Sequence, residues 1–384
     1  MKGYVFISNS TKPNEEKANS RDMISLSNVN KPCVNAALNM GYEVFLGVNR
    51  NRPEELSCEL PIKLFDSHTY RSITAFNDNR IAFNNLNKIL KENDIEVIHC
   101  NTPVGGLIGR LCGRKNHIKY VIYTAHGFHF YKGAPLINRT VFKWAERIMA
   151  HWTDIIITMN QEDYEAAKTF KLKKGGKVYK VHGVGISLSE YQNIKKDDLN
   201  KRNEFSLSQN DFICISAGDL VLRKNYRTAI ESIAYAKNPH IHYLICGEGP
   251  EKDNLRSLAK KLGIDNQIHF LGYRTDIKEL LAMSDCFLFT STQEGLPRSL
   301  LEAMAVGLPV VVSKIRGNVD LIENGKGGFL CTPFNAVDFA NSINILTNDK
   351  TLCESMANYN LEVIKQYDIS VVEEEIKKIY KDNI

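Results

Sequence analysis

Two doubly wound α/β domains in tandem are what this sequence predicts, and three observations predict them. Short apolar runs alternate with amphipathic stretches throughout, the pattern of a parallel sheet covered by helices. The alternation breaks once, after Gly185, in a polar stretch over 188–210, and then restarts. The length, 384 residues, exceeds what a single core of ordinary size takes up.

In the first half the strands are expected at Tyr4–Ile7, Glu43–Val48, Val97–Cys100, Tyr120–Thr124, Ile155–Thr158 and Val178–Val181. Helices are expected at Ala82–Lys91, Leu107–Arg114, Arg139–His151 and Gln161–Phe170. Asn160 with Asp163 three residues later marks the start of the last one. Residues 1–187 form the first domain, 188–210 a linker, and 211–365 the second domain. The second alternates strands at Phe212–Ala217, His242–Cys246, Ile268–Phe270, Cys286–Phe289 and Val310–Val312 with helices at Tyr226–Ala236, Lys252–Leu262, Ile277–Ala282 and Leu300–Ala305. A final helix near Val371–Tyr380, within 366–384, is expected to pack on either domain, with a return to the first one the preferred reading. Two such domains would face each other across a ligand cleft, with ligands beyond the carboxyl ends of the strands.

Composition narrows the function classes. Apolar residues make up 43% and charged residues 24%, as in an ordinary globular protein. No apolar run reaches bilayer length, and the run at Met1–Ser8 is too short for a signal peptide, so a cytoplasmic protein is expected. Nine cysteines are scattered without a Cys-x-x-Cys pair, and Cys100, Cys214, Cys246, Cys286 and Cys331 lie in or beside apolar runs. A disulfide framework or metal cluster is therefore not expected. Residues 1–190 carry 26 Lys and Arg against 18 Asp and Glu, a net of +8, whereas the remainder carries −3. No nucleic-acid-binding signature accompanies the basic half, which leaves an anionic membrane surface or a phosphorylated substrate as its partner.

The stretch Ser291-Thr292-Gln293-Glu294-Gly295-Leu296-Pro297-Arg298 ends a strand and opens a helix that also carries Glu302. Amides around Gly295–Arg298 would bind an anion or sugar hydroxyls at the helix start, and two carboxylates suit pairs of hydroxyls. On pattern alone, an ordinary strand–loop–helix with water-facing glutamates explains the stretch equally well. Gly218 follows the first strand of the second domain, and Arg223 with Lys224 would neutralise a diphosphate held without metal. A solvated Arg-Lys at a helix start is the alternative. Gly247-Glu248-Gly249 after the next strand allows close backbone approach to a ligand. The lysines at 168, 171, 173, 174, 177 and 180 read as a solvated face or, more sharply, a phospholipid-facing patch. The P-loop, the Gly-x-Gly-x-x-Gly pattern and any Asp-x-Asp pair are all missing.

The segment Glu294–Glu302 resembles the Glu-x(7)-Glu motif of the retaining glycosyltransferases of family 4, which have the two-domain GT-B fold. Asp94–Pro103 and Tyr123–Gly133 are similar to first-domain signatures of the capsule and exopolysaccharide branch. Gly183–Ile186, Gly247–Pro250 and Phe270–Ile277 follow in the family's order, so the resemblance covers about 94–335. It implies that Glu294 and the backbone after it engage the donor sugar and that Glu302 holds the ribose. It further implies that His126 contacts the sugar, that the Gly247–Gly249 loop lies near the phosphates, and that main-chain groups at Arg274 pair with the base. The family's usual arginine after the glycine is replaced here by Asp219, so Arg223 is the expected substitute beside Lys224. A glycine pair common after the first strand is also absent, where Ser8–Asn14 opens a long polar loop to about residue 32. Acceptor recognition therefore does not carry over.

The expected function is transfer of a hexosyl or N-acetylhexosaminyl group from a nucleoside diphosphate, UDP by preference, with retention and without metal. The expected acceptor is a polyprenyl-diphosphate-linked glycan reached at an anionic membrane; nucleic acid is not an expected partner. An epimerase or hydrolase of the same fold and a catalytically silent partner-binding subunit remain alternatives.

Overall fold

The computed structural model describes residues 1–191, 194 and 199–384. Two compact units emerge, Met1–Gly185 with Ile369–Ile384, and Ile186–Asp368. In unit 1 the strands are β1 (Gly3–Ile7), β2 (Glu43–Val48), β3 (Lys63–Asp66), β4 (Ile95–Asn101), β5 (Tyr120–Ala125), β6 (Ile155–Thr158) and β7 (Lys177–Lys180). Its helices are α1 (Glu15–Asn19), α2 (Lys31–Asn39), α3 (Phe76–Glu92), α4 (Pro103–Lys115), α5 (Lys143–Ala150) and α6 (Gln161–Lys168).

Unit 2 holds α7 (Leu199–Asn203), β8 (Phe212–Ala217), α8 (Tyr226–Ala236), β9 (Ile241–Cys246), α9 (Lys252–Lys261), β10 (Ile268–Gly272) and α10 (Ile277–Ala282). It continues through β11 (Cys286–Phe289), α11 (Arg298–Ala305), β12 (Val310–Ser313), α12 (Asn318–Leu321), β13 (Gly328–Cys331), α13 (Ala336–Asn348) and α14 (Lys350–Val363). The last helix, α15 (Ile369–Lys381), belongs to unit 1 and packs on α2.

Both sheets are wholly parallel, ordered β3-β2-β1-β4-β5-β6-β7 and β10-β9-β8-β11-β12-β13. A parallel strand is covered on both faces, so it must be apolar throughout. Tyr4-Val5-Phe6-Ile7 in β1 and Cys286-Phe287-Leu288-Phe289 in β11 meet that demand, none above 4% exposed. The helices show the complementary 3.6-residue stripe: α3 buries Ala82, Leu86 and Leu90, four residues apart. Asn160 caps α6 by accepting from the Asp163 amide at 2.8 Å.

Several elements differ from the sequence reading. The polar stretch from residue 8 contains α1, and α2 starts at Lys31, near its expected end. The helix expected at Arg139–His151 begins at Leu136 and passes through a π-helical segment, Asn138–Phe142, before α5. Of the stretch 188–210, residues 192, 193 and 195–198 lie outside the described residues. Its described part belongs to unit 2, where Leu207 is buried and Leu188, Tyr191, Ile194 and Phe205 pack on the core. A few spaced apolar side chains suffice to hold it there.

Unit 1 also encloses a polar network in its core. His99 Nδ1 meets the hydroxyls of Tyr4 at 3.1 Å and Tyr380 at 2.5 Å, and its Nε2 meets Thr124 Oγ1 at 2.7 Å. Tyr380 comes from α15, so these bonds fix the C-terminal helix in place. His99 is therefore structural. All nine cysteines are free thiols, seven of them buried.

Candidate active site

Strand order reverses between β8 and β11, which are neighbours in the sheet although β9 and β10 separate them in sequence. At such a switch point the loops beyond the strand ends diverge and leave room for a ligand. The loop after β8 is laced to the loop after β11. Thr292 donates to the Arg223 carbonyl through its amide at 2.8 Å and its hydroxyl at 3.0 Å. Thr290 Oγ1 donates to the Asn225 carbonyl at 2.8 Å, and Asn225 Nδ2 returns a bond to the Thr290 carbonyl at 3.3 Å. Asn225 adopts φ +52°, a left-handed conformation that asparagine tolerates, and this turns the chain from the Leu222–Lys224 turn into α8.

This lacing sets Arg223 and Lys224 against Glu294. Oε1 of Glu294 accepts from Lys224 Nζ at 2.7 Å, Ser291 Oγ at 2.7 Å and Arg223 Nη1 at 3.3 Å. The side chains of Lys224 and Glu294 are each 11% exposed, while Arg223 is 47% exposed. Screening is weak at the first pair and strong at the second, so Lys224 is the dominant partner. Lys224 Nζ also lies 4.7 Å from the centre of the Phe289 ring, and the Glu294 carbonyl accepts from Arg316 Nε at 2.9 Å.

Gly295, Leu296 and Pro297 lead into α11, which has Pro297 at its cap and no side chain capping it. A helix that starts this way directs first-turn amides at whatever anion is placed before it. Gly317, at φ +83°, lets another loop close on this turn: a Cβ there would stand 2.4 Å from the Gly295 carbonyl oxygen. Glu302 follows on α11, accepting from Arg298 Nε at 2.9 Å, with its side chain 18% exposed. Burial raises the Glu302 pKa above the usual carboxylate range, and Arg298 opposes that shift.

The glycine loops form the floor. The Gly218 amide donates to Cys246 O and the Leu220 amide to Glu248 O, both at 2.9 Å, which folds the Gly247–Gly249 loop onto the loop after β8. The approach is so close that a Cβ at Gly247 would stand 2.0 Å from the Gly218 carbonyl oxygen, and one at Gly249 would stand 2.4 Å from that of Leu220. Arg274 is placed differently. Its guanidinium is bound bidentately by Asp276, at 2.8 and 2.5 Å, and Lys201 reaches the same carboxylate at 2.7 Å. Arg274, first among these contacts, holds the Asp276 carboxyl well below the usual carboxylate range. The Arg274 side chain is thus occupied, which leaves its main chain as the part available to a ligand.

His126 belongs to unit 1, where it follows β5. The residue is half-buried, but its Nε2 is enclosed and has no hydrogen-bond partner among the described residues, and with Asn101 it lines a cavity of about 10 Å³. Burial lowers its pKa to about 4, so the ring is neutral at physiological pH. A cavity of about 470 Å³ in unit 2 lies at the opposite, amino-terminal end of the strands, where Phe212 starts β8 and Pro309 precedes β12. It contains none of the candidate residues.

Ser291, Asn225 and Arg316 did not emerge from the sequence. Ser291 stands three residues before Glu294, a local signal that could have been used. Arg316 comes from the loop after β12, and only the tertiary fold brings it to Glu294.

Residues 24–186 match the family described as Glycosyl transferase 4-like, and residues 197–382 match Glycosyl transferases group 1. Over 351 residues, 89% of each chain, the sequence is 32% identical to the putative glycosyltransferase EpsD of Bacillus subtilis (strain 168). The chain belongs to the group 1, 4-like glycosyltransferases. This glycosyltransferase is also 29% identical, over 78% of each chain, to the UDP-Gal:alpha-D-GlcNAc-diphosphoundecaprenol alpha-1,3-galactosyltransferase of Escherichia coli. Its fold matches that of Anabaena HepE, solved with UDP and glucose, with a TM-score of 0.77 over the whole of both chains at 19% identity. The two parallel-sheet units are thus those of a GT-B glycosyltransferase.

Proposed function

We propose that this glycosyltransferase moves a hexosyl or N-acetylhexosaminyl group from UDP to a polyprenyl-diphosphate-linked glycan, with retention and without a metal ion. The reading makes it a peripheral protein at the inner face of an anionic membrane, where such an acceptor resides. One observation carries it: Lys224 and Arg223 converge with the uncapped start of α11 at the β8/β11 switch point. Negative charge on a departing nucleoside diphosphate grows in the transition state, and preorganised cations and amides are the groups that stabilise it. Glu294, anchored between those cations, presents its remaining oxygen to the sugar, and Glu302 one helix segment further on takes the ribose hydroxyls. A carboxylate held by two cations and a hydroxyl is a weak nucleophile, so no covalent step is assigned to Glu294. The donor and acceptor classes are supported by the Escherichia coli relative's name and by the UDP bound in HepE.

Titration calorimetry with UDP in EDTA tests this reading. Wild-type binding is expected to be indifferent to EDTA, and Lys224→Ala to weaken it by about 1.5–3 kcal/mol, the worth of a charge-assisted hydrogen bond. UDP binding that requires added Mg²⁺ or Mn²⁺, or an unchanged Lys224→Ala, contradicts it.

A further inference from the structure

Outside the candidate site, the least expected surface is the outer side of the helix that lies between β5 and β6 in sequence. This helix runs without a break from Leu136 to Ala150. Its inner side is firmly held. Glu146 receives a bidentate bond from Arg110, at 2.7 and 3.1 Å, and Arg110 is fully buried with its guanidinium 3.9 Å from the Tyr123 ring centre. Met149 and Ala150 are buried, and Phe142 packs against the His129 ring.

The outer side is apolar. Leu136 is 74% exposed, Ile137 62%, Val141 55% and Trp144 67%. Four large apolar side chains on two helical turns make a contiguous patch of a kind that marks an interaction surface. Arg139, Lys143 and Arg147, four residues apart on the same helix, run beside the patch. Among the described residues none of these three takes part in an ion pair. The surrounding chain has no spare acid to offer them. Between Val97 and Thr153 there are eight Lys and Arg and a single acidic residue, Glu146, which Arg110 already engages. The lysine-rich segment that follows is different: Lys168 pairs with Glu165 and Lys173 with Asp154.

We propose that Leu136–Ala150 is the surface by which this protein docks on an anionic lipid bilayer. Leu136, Ile137, Val141 and Trp144 enter the boundary between headgroups and acyl chains, while Arg139, Lys143 and Arg147 reach the lipid phosphates. An apolar strip with an interfacial tryptophan and unneutralised flanking cations is the composition of a helix lying in a membrane interface. The Arg110–Glu146 clamp keeps the helix from reorienting, so the whole unit is held in a fixed attitude to the bilayer. The inference rests on the reading of a peripheral enzyme with a lipid-linked acceptor and assigns it a surface.

The test is flotation of the full chain with vesicles of phosphatidylcholine alone, or of phosphatidylcholine mixed with phosphatidylglycerol, with UDP affinity measured in parallel. The wild type should float with the mixed vesicles. Leu136→Ser/Trp144→Ser and Arg139→Glu/Lys143→Glu should each bind them at least about tenfold more weakly, since apolar insertion and cation attraction both contribute. Both variants should keep the wild-type circular dichroism, thermal midpoint and UDP affinity. Undiminished flotation of both variants overturns the assignment. A stable wild-type dimer that either variant converts to monomer also overturns it, because a second copy then covers the patch. If the wild type floats but fails to bind UDP, the donor reading fails while the docking surface stands.

Discussion

Glu294 and Glu302 look equivalent on the page of a sequence, two carboxylates eight residues apart, yet their surroundings differ. Glu294 is pinned by Lys224, Arg223 and Ser291, all within 3.3 Å. Glu302 has Arg298 beside it, and burial works against its charged form. In Glu294→Gln the two cations are relieved of a competing anion, so UDP affinity should hold or tighten. Turnover should fall by about a hundredfold or more, because sugar alignment and local electrostatics are lost together. In Glu302→Ala, UDP affinity itself should fall about 10- to 150-fold, the range for a lost hydrogen bond to a charged group. Calorimetry with UDP and steady-state kinetics on both variants check the split, and a reversed pattern contradicts it. The sequence made both glutamates and both cations legible as chemistry. It could not show that they meet, because 70 residues separate Lys224 from Glu294 and only the β8/β11 reversal joins them.

Among the elements, boundaries could be read to the residue for four strands and for the helices α8 and α10. β2, β6, β8 and β11 were legible to the residue because each is a mostly apolar run between polar flanks. β3 escaped, since Lys63–Asp66 is a four-residue edge strand with one buried side chain. The π-helical start of the helix before β6 also escaped, as no local composition distinguishes Asn138–Phe142 from an ordinary helical turn. What that helix depends on is testable. Glu146→Ala leaves the guanidinium of Arg110 buried without its counter-ion, so stability should fall by about 3–5 kcal/mol. Replacing both partners with apolar residues should cost less. Urea unfolding of the full chain measures both, and a Glu146→Ala loss below that of the double variant contradicts the clamp.

At the scale of the whole molecule, the division into two doubly wound units was legible from one interruption in the βα alternation, and the basic character of the first from simple counting. The assignment of 369–384 to unit 1 depends on side chains that meet only in the fold, Tyr380 with His99 and Tyr4 above all. That network makes stability depend on pH. Burial lowers the pKa of His99 to about 3 and that of His126 to about 4, whereas unfolded histidine titrates near 6.5. The unfolded chain therefore takes up protons first as pH falls. Stability is complete above about 6.5 and declines towards those values, by about 2 kcal/mol at pH 5 for His99 alone. Urea midpoints at pH 7.5 and 5 should show the decline, and His99→Gln should flatten it; an unchanged midpoint at pH 5 counts against the buried neutral ring. The claim that matters most is that a sugar leaves a nucleoside diphosphate held at the β8/β11 switch point for a lipid-linked acceptor. The direct measurement offers UDP-, GDP- and dTDP-sugars in EDTA, with and without a polyprenyl-diphosphate-linked sugar, and reads product and anomer by nuclear magnetic resonance. The account predicts a UDP-sugar consumed rapidly only with the acceptor, giving an α-linked product from an α-linked donor, and no product from Lys224→Ala. Conversion of the donor at the same rate without acceptor, or an inverted product, would contradict it.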